Sequence, residues 1–141
     1  MVVPLEIGRP QRRDIPQLYA LAESAFAGMP GWNPIRVVRA LEEDVLFVAR
    51  ELGALAGYLA LRRENERSLL IEQVLVAPGH ERRGVGRRLL AYAEGYAVRE
   101  RVPALRVVVE TTNYPARDLY RRLGFVAREP EIFERSLPYV I

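Results

Sequence analysis

A glycine-rich turn, residues 78–86, joins an apolar run, residues 69–77, to a segment with helical spacing. Gly84 and Gly86 have no side chain, so they leave the backbone accessible where the helix is predicted to begin. The first N–H groups of a helix lack carbonyl partners, and the helix dipole adds positive potential there. The pattern therefore predicts a binding site for a ligand that carries phosphates. Four arginines strengthen this prediction: Arg82, Arg83, Arg87 and Arg88.

An acidic residue, Glu72, lies within the apolar run and shares one face of the predicted strand with Val74 and Val76. A carboxylate on a central strand is costly to bury unless it is paired or faces a wet cavity. It could form an ion pair with an arginine such as Arg106 on the next strand, or it could serve a reaction in a cleft. Glu110, near the end of that next strand, is a second candidate base, and a solvated acid at a strand end is the simpler interpretation of it.

The composition limits the chemistry that this chain can perform. The 141 residues, half of them hydrophobic, suit one domain, residues 1–141, with one core. Cysteine is absent and His80 is the only histidine, so disulfides, thiolate catalysis and multi-histidine metal sites are excluded, and we expect no metal. The net charge is +3, and lysine is absent, so all 21 lysine-plus-arginine residues are arginine. A basic balance fits either a nucleic acid or a polyanionic cofactor.

The first residues and the hydropathy pattern give an expectation for where in the cell the protein is found. Residues 1–5 lack the basic flank and the long apolar segment of a signal peptide. No apolar run approaches the ~20 residues that cross a bilayer. We therefore expect a cytoplasmic protein with no membrane partner.

The hydrophobic periodicity predicts elements in the order β-α-α-β-β-β-α-β-α-β-β. Asp14 is predicted to cap the first helix and Gly124 to end the last one, while Ile35, Val38 and Leu41 are predicted to face the core from the second. A strand-helix-strand unit in the middle requires part of the sheet to be parallel. The predicted fold class is therefore α/β (α+β), with a mixed, mostly antiparallel central sheet of six to seven strands and helices on both faces. The predicted strands are residues 3–9, 45–51, 54–62, 69–77, 105–111, 125–128 and 132–139, and the predicted helices are residues 14–27, 33–43, 84–100 and 115–123.

Two motifs in this order resemble those of the GCN5-related N-acetyltransferases, the GNAT superfamily. The first begins at Val76-Ala77-Pro78 and continues through the glycine turn; it resembles Gln/Arg-x-x-Gly-x-Gly/Ala after a strand that ends Val-x-Pro. The second, residues 113–125, resembles Asn-x-x-Ala-x-x-Leu-Tyr-x-x-x-Gly-Phe. Glu81 stands where the family has glutamine or arginine, so we expect it to point to solvent, with Arg82 or Arg83 supplying the lost charge. The resemblance implies a GNAT-like sheet, acetyl-CoA as co-substrate and an amine acceptor.

The resemblance also implies a role for each part of the site. The acyl-carrying arm of acetyl-CoA would pair with the strand backbone at Val74 and Val76. Asn113 would contact that arm, cap the following helix, or do both. Tyr120 would give a proton to the leaving thiolate, unless it is a packed core tyrosine whose hydroxyl bonds a backbone carbonyl. Glu72 would act as the base through water, with the ion pair as the alternative. The pyrophosphate would meet the backbone N–H groups of Arg82, Arg83, Gly84, Val85, Gly86 and Arg87.

The function predicted from these motifs is acetyl-CoA-dependent N-acetyl transfer to a primary amine by direct attack. The acceptor stays open among small amines, amino acids and protein N-termini, and Trp32 is the candidate wall of its pocket. One alternative is a regulatory module that binds acetyl-CoA or coenzyme A without catalysis. Arginine-mediated nucleic-acid binding is less favoured, since aromatic interleaving and a nucleic-acid motif are both missing, and we expect no nucleic-acid partner. The protein is expected to be a monomer or a homodimer.

Overall fold

The computed structural model describes residues 4–26 and 34–137. Val3 and Tyr139, which were predicted to begin and end strands, and Trp32, predicted to wall a pocket, lie outside the described residues. Within the described ranges the element order agrees with the prediction. The elements are β1 (Leu5–Gly8), a 3₁₀ turn (Arg12–Asp14), α1 (Ile15–Phe26), α2 (Pro34–Glu43), β2 (Val45–Glu51), β3 (Ala54–Asn65), β4 (Ser68–Val76), α3 (Val85–Arg99), β5 (Ala104–Val108), α4 (Tyr114–Arg122), β6 (Val126–Glu129) and β7 (Ile132–Ser136).

The strands form a seven-stranded sheet in the order β1-β2-β3-β4-β5-β7-β6. Strand β4 pairs with β5 in parallel, and the pairs β1–β2, β2–β3, β5–β7 and β6–β7 are antiparallel. The parallel pair follows from the crossover through α3, because two parallel neighbours cannot be joined by a tight hairpin. The prediction of a mixed, mostly antiparallel α/β fold is confirmed.

The chain divides into two compact units, one of residues 1–61 with 73–93 and one of residues 62–72 with 94–141. The first unit contains β1, α1, α2, β2, most of β3, the end of β4 and the start of α3. The second contains the remainder of β3, β4 and α3, together with β5, α4, β6 and β7. The single domain over residues 1–141 stays a prediction.

The first unit buries its apolar side chains between helices α1 and α2 and strands β2 and β3. Leu18 and Ala22, four residues apart, lie on one face of α1 and are buried. In α2 the prediction was right for Leu41 and wrong for Ile35 and Val38, which are 76% and 38% exposed. The face that packs inward is rotated and uses Val37, Ala40 and Leu41. The buried cluster consists of Leu18, Ala22, Leu41, Leu46, Val48, Tyr58 and Ala60.

Asp14 does not cap α1 as predicted, because its carboxylate serves other partners. It accepts a hydrogen bond from the backbone N–H of Gln11 at 2.6 Å, which closes the 3₁₀ turn. Both carboxylate oxygens also bind the guanidinium of Arg50 on β2. Burial acts to raise the pKa of Asp14, but the Gln11 N–H and the Arg50 guanidinium outweigh it and hold that pKa below its ordinary value. The turn before α1 is therefore tied to the sheet by a buried ion pair.

In the second unit, Gly124 ends α4 as predicted. Its φ of +93° is a left-handed conformation that glycine adopts without steric penalty. The N–H of Phe125 donates to the carbonyl of Tyr120 at 2.9 Å, and the N–H of Gly124 donates to the carbonyl of Arg121 at 3.0 Å. These two bonds satisfy carbonyls at the helix end in the manner of a Schellman motif. The turn brings the ring of Phe125 against that of Tyr120.

Candidate functional site

The glycine turn connects the end of β4 to the start of α3 within the first unit. The N–H of Ala77 donates to the carbonyl of Ala56 on β3 at 2.8 Å, which fixes the entrance of the turn. Gly79, Arg82 and Gly84 all have left-handed φ angles, of +89°, +62° and +77°. This conformation costs a non-glycine residue such as Arg82 about 1 kcal/mol. The backbone of the turn is therefore tightly bent immediately before the helix.

The backbone N–H groups of residues 82–87 have no hydrogen-bond acceptor within the part of the chain that the structure describes. The first regular bond of the helix is the one from Arg88 to the carbonyl of Gly84, at 3.0 Å. Unsatisfied N–H groups at a helix start, together with the helix dipole, favour an anion. The predicted residues Arg82, Arg83, Gly84, Val85, Gly86 and Arg87 thus form a continuous run of donors.

The arginines around this turn divide into two kinds. Arg83 donates to a carboxylate oxygen of Glu51 at 3.0 Å, and Arg88 donates to the carbonyl of Leu5 at 3.4 Å. Arg82 and Arg87 are exposed, and neither forms an ion pair within the described ranges. Of the arginines predicted to supply charge, Arg82 and Arg87 are therefore the ones whose guanidinium groups are not engaged by protein acceptors there.

Glu81, the departure from the family pattern, is exposed as expected. Its carboxylate accepts the N–H of Gly79 at 2.9 Å. Its own N–H and that of Gly79 lower the pKa of Glu81 from its ordinary value, with smaller contributions from His80 and Arg82. Glu81 therefore stabilises the first half of the turn, ahead of the run of N–H donors that begins at residue 82.

The sequence reasoning missed Glu51, the last residue of β2. Its side chain is 3% exposed, and its oxygen Oε1 contacts Nδ1 of His80 at 2.7 Å as well as Arg83. The other oxygen, Oε2, is buried and has no hydrogen-bond partner in the described residues. An acid that ends an apolar strand, directly before the Leu52-Gly53 turn, was the available signal.

Val74 and Val76 lie at the end of β4, directly before the turn, and both are partly buried. The parallel ladder of β4 with β5 covers Ser68 to Ile71. Both valines therefore lie beyond the last pair of this ladder. On β3, Gly57 approaches this part of β4 so closely that a Cβ atom there would lie 2.4 Å from the carbonyl oxygen of Leu75.

Tyr120 is buried in α4, and its ring packs edge to face on Phe125 with centroids 5.2 Å apart. Burial raises the pKa of Tyr120 to about 12. Its hydroxyl has no hydrogen bond to any residue that the structure describes, so the alternative of a carbonyl-bonded core tyrosine is not what is observed. At neutral pH the buried phenol holds its proton.

Asn113 caps α4, because its side-chain oxygen accepts the N–H of Ala116 at 3.3 Å. This confirms one of the two roles considered for Asn113 and leaves contact with a cofactor as a prediction. Glu110, the second candidate base, is exposed after β5. That exposure agrees with a solvated acid at a strand end.

Glu72 forms the kind of ion pair that was considered for it, but with a different partner. Its Oε1 lies 2.5 Å from Nε of Arg62 on β3, and its side chain is 8% exposed. Arg106, the arginine named as an example of such a partner, instead contacts Glu64 at 3.1 Å and Glu134 at 3.7 Å. The prediction that Glu72 is a base stays a prediction.

The structure thus gathers the predicted residues into two groups. The first unit contains Val74, Val76 and residues 82–87, and the second contains Glu72, Asn113 and Tyr120. In residues 4–26 and 34–137 no helix is long and apolar enough to cross a bilayer. The same ranges contain no cluster of three or more histidine, aspartate or glutamate side chains arranged to hold a metal ion.

Comparison with known proteins indicates the same family as the two sequence motifs. The model of the "Acetyltransferase (GNAT) family" matches residues 15–125. Streptothricin acetyltransferase from Streptomyces lavendulae is 41% identical over 75 residues, which are 52% of this chain and 39% of that protein. The N-alpha-acetyltransferase RimI from Mycobacterium tuberculosis is 31% identical over 127 residues, 86% of this chain and 78% of that protein. The chain therefore matches less than two thirds of the length of the streptothricin enzyme.

Solved structures share the fold at low sequence identity. The ribosomal-protein-S18-alanine N-acetyltransferase from Escherichia coli superposes with a TM-score of 0.77 at 19% identity, covering 98% of this chain and 97% of that one. The PaiA N-acetyltransferase from Thermoplasma acidophilum, solved in complex with coenzyme A, gives a TM-score of 0.73 at 18% identity, covering 94% and 99%. At these identities the likeness concerns the fold alone.

Proposed function

Because the chain belongs to the GNAT acetyltransferase family, we propose that it transfers an acetyl group from acetyl-CoA to a primary amine by direct attack. The observation that carries this proposal is the run of backbone N–H groups at residues 82–87, which have no acceptor in the described residues. A run of donors at a helix start suits a pyrophosphate, which is the polyanionic part of coenzyme A. The exposed guanidinium groups of Arg82 and Arg87 add charge at the same place.

The strand that leads into the turn, β4, is proposed to bind the rest of the cofactor. The acyl-carrying arm pairs with the backbone of Val74 and Val76, which lie beyond the end of the ladder between β4 and β5. Such pairing places the thioester carbonyl near a strand N–H that can stabilise the tetrahedral oxyanion. Asn113 contributes a further contact to the arm. Acetyl-CoA acts as co-substrate, and no metal takes part in the proposed reaction.

The chemistry needs a proton for the sulfur and an acceptor for the proton of the amine. The amine nitrogen attacks the thioester carbonyl, the C–S bond breaks, and the thiolate takes a proton from Tyr120. Burial raises the pKa of Tyr120 to about 12, so the phenol is protonated when the reaction begins. Glu72 accepts the proton of the amine through water, with Glu110 or water alone as the alternative. The net products are an amide and the free thiol of coenzyme A.

The acceptor class that we favour is an α-amino group at a protein N-terminus. The match to RimI covers 86% of this chain, whereas the match to the streptothricin acetyltransferase covers 52%. RimI is named as an N-alpha-acetyltransferase. We place the reaction in the cytoplasm, where acetyl-CoA is available, and the acting form is a monomer or a homodimer.

The test combines a binding measurement with an activity measurement. Calorimetry with coenzyme A is expected to give heat, and acetyl-CoA with an alanine-initiated peptide is expected to release free thiol. A peptide blocked at its N-terminus is the matched control, and streptothricin and a small polyamine complete the panel. Heat without thiol release from any amine would favour the binding module. The absence of heat with millimolar coenzyme A would refute the proposal, and salt-resistant binding to a short duplex would favour nucleic-acid binding instead.

A further inference from the structure

The buried carboxylate of Glu51 is the feature of the first unit that the proposed reaction does not use. Burying a carboxylate costs several kcal/mol unless good contacts compensate. Here one oxygen, Oε1, accepts both available contacts, from His80 at 2.7 Å and from Arg83 at 3.0 Å. Oε2 is buried without a partner in the described residues. Burial of this carboxylate therefore costs folding free energy that a residue needed only to end a strand would not require.

Both partners of Glu51 belong to the glycine turn. His80 and Arg83 are three residues apart and enclose Glu81 and Arg82. Within the described residues, β2 is the only element that the side chains of residues 78–84 contact through a hydrogen bond or ion pair. The carboxylate of Glu81 bonds only inside the turn. Arg82 within the turn has a left-handed φ of +62°, a strained conformation for a non-glycine residue that persists only where surrounding contacts hold it. Glu51 supplies such contacts from β2.

We infer that Glu51 is a positioning residue for the anion site: it holds the glycine turn in the shape that directs the N–H groups of residues 82–87 at the pyrophosphate. This inference rests on the proposed function. It also assigns Arg83 as an anchor that acts through Glu51, while Arg82 and Arg87 face the phosphates. The sequence prediction had the side chain of Arg82 or Arg83 supply the charge that Glu81 does not; the backbone N–H of Arg83 keeps its predicted place among the donors.

The effect of removing the Glu51 charge on anion affinity distinguishes this inference from a purely electrostatic account, because the two predict changes of opposite sign. The glycine turn and the start of α3 carry the cations Arg82, Arg83, Arg87 and Arg88, the acid Glu81, and His80. Glu51 contacts two of these residues, His80 and Arg83. Removing one negative charge from this cluster raises the positive potential, so a purely electrostatic site would bind an anion more tightly after Glu51→Gln. A site that depends on the shape of the turn would bind it more weakly.

The experiment compares coenzyme A with acetyl-pantetheine, which has the arm but no pyrophosphate. For Glu51→Gln we expect the Kd of coenzyme A to rise about 10-fold to 100-fold, the loss expected for a charged hydrogen bond, while the KM of acetyl-pantetheine is unchanged. Glu94→Gln is the matched control, because it removes one charge from an ion pair with Arg135, at 3.2 Å, in the other unit. It is expected to leave both values unchanged.

Several outcomes would overturn the inference. An equal or lower Kd of coenzyme A for Glu51→Gln would refute it, as would equal losses for coenzyme A and acetyl-pantetheine. No heat with the wild-type protein would refute the proposed function and this inference together. If Glu51→Gln unfolds, His80→Ala replaces it, since this change removes a contact of Glu51 without removing a guanidinium from the anion site, and the His80 side chain is 21% exposed. That variant should also weaken coenzyme A alone, and an unchanged Kd would count against the inference.

Discussion

Gly57 on β3 offers the sharpest test of how β4 serves the reaction. An ideal Cβ atom at this position would lie 2.4 Å from the carbonyl oxygen of Leu75 and 3.1 Å from Cγ1 of Val85. Since real Cβ contacts essentially never fall below 3.0 Å, Gly57→Ala must move that carbonyl by about 0.6 Å or more. The neighbour is backbone, so no side-chain rotation can relieve the clash.

Two effects of Gly57→Ala are expected from this displacement. Overpacking of a well-packed interior costs about 1–3 kcal/mol of unfolding free energy. The carbonyl that moves lies between Val74 and Val76, where the arm of acetyl-CoA is proposed to pair. A misplacement approaching 1 Å in a positioning element costs up to about 10²-fold, so we expect the KM of acetyl-CoA to rise about tenfold or more.

Steady-state kinetics with acetyl-CoA and with acetyl-pantetheine, together with thermal unfolding, measure both effects. The KM should rise for both substrates, because both carry the arm; Glu51→Gln should affect only the substrate with the pyrophosphate. Gly8→Ala is the matched control, since a Cβ atom at that strand position meets nothing within 4 Å. A Gly57→Ala protein with wild-type KM for both substrates would refute the argument that the arm depends on this part of β4.

Three further predictions concern single side chains. Tyr120→Phe keeps the ring packed but removes the hydroxyl, so kcat should fall about 10²-fold or more with little change in the KM of acetyl-CoA; an unchanged kcat would make Tyr120 a core residue only. Asp14→Asn leaves Arg50 without its buried carboxylate and should lower the unfolding free energy by about 3 kcal/mol, measured by urea unfolding. Because the folded-state pKa of Asp14 lies below its ordinary value, its stabilisation is complete above that value and is lost as pH falls through the folded pKa, so the difference from wild type should narrow below about pH 4; a constant difference would contradict this. Asn113→Ala removes the cap of α4 and should cost about 1 kcal/mol of unfolding free energy; a higher KM for acetyl-CoA in addition would support contact with the arm, whereas full wild-type stability would contradict the capping role.

The parts of the fold that the sequence predicted well are those with local signals. Gly124 ends α4 because a glycine after a helical pattern adopts a left-handed φ at no cost, and the element order followed from changes between strand and helix periodicity. The glycine turn was located by its spacing alone. Tyr120 and Asn113 were found through a motif, and the cap made by Asn113 is visible in the structure.

What the sequence could not predict is which distant partner a side chain contacts. Glu72 pairs with Arg62 on the preceding strand rather than with Arg106, because the strand pairing decides which arginine lies beside it. The inward face of α2 was misassigned since Ile35 and Val37 both fit an amphipathic pattern, and only packing against α1 chooses between them. Glu51 meets its partners in the glycine turn after a separation of about thirty residues, and no local spacing encodes that contact.

The strand order at one end of the sheet has a consequence for folding during synthesis. Strand β7 is inserted between β5 and β6, so the last strand of the described chain fills the middle of a three-stranded group. Until residues 132–136 leave the ribosome, β5 keeps one unpaired edge and β6 has no strand to pair with among the described ones. A nascent or truncated chain that stops before β7 would expose the hydrogen-bonding edge of an apolar strand, which invites aggregation. The hairpin of β6 and β7 therefore completes this part of the sheet, and deletion of residues 132–136 should reduce the yield of folded protein.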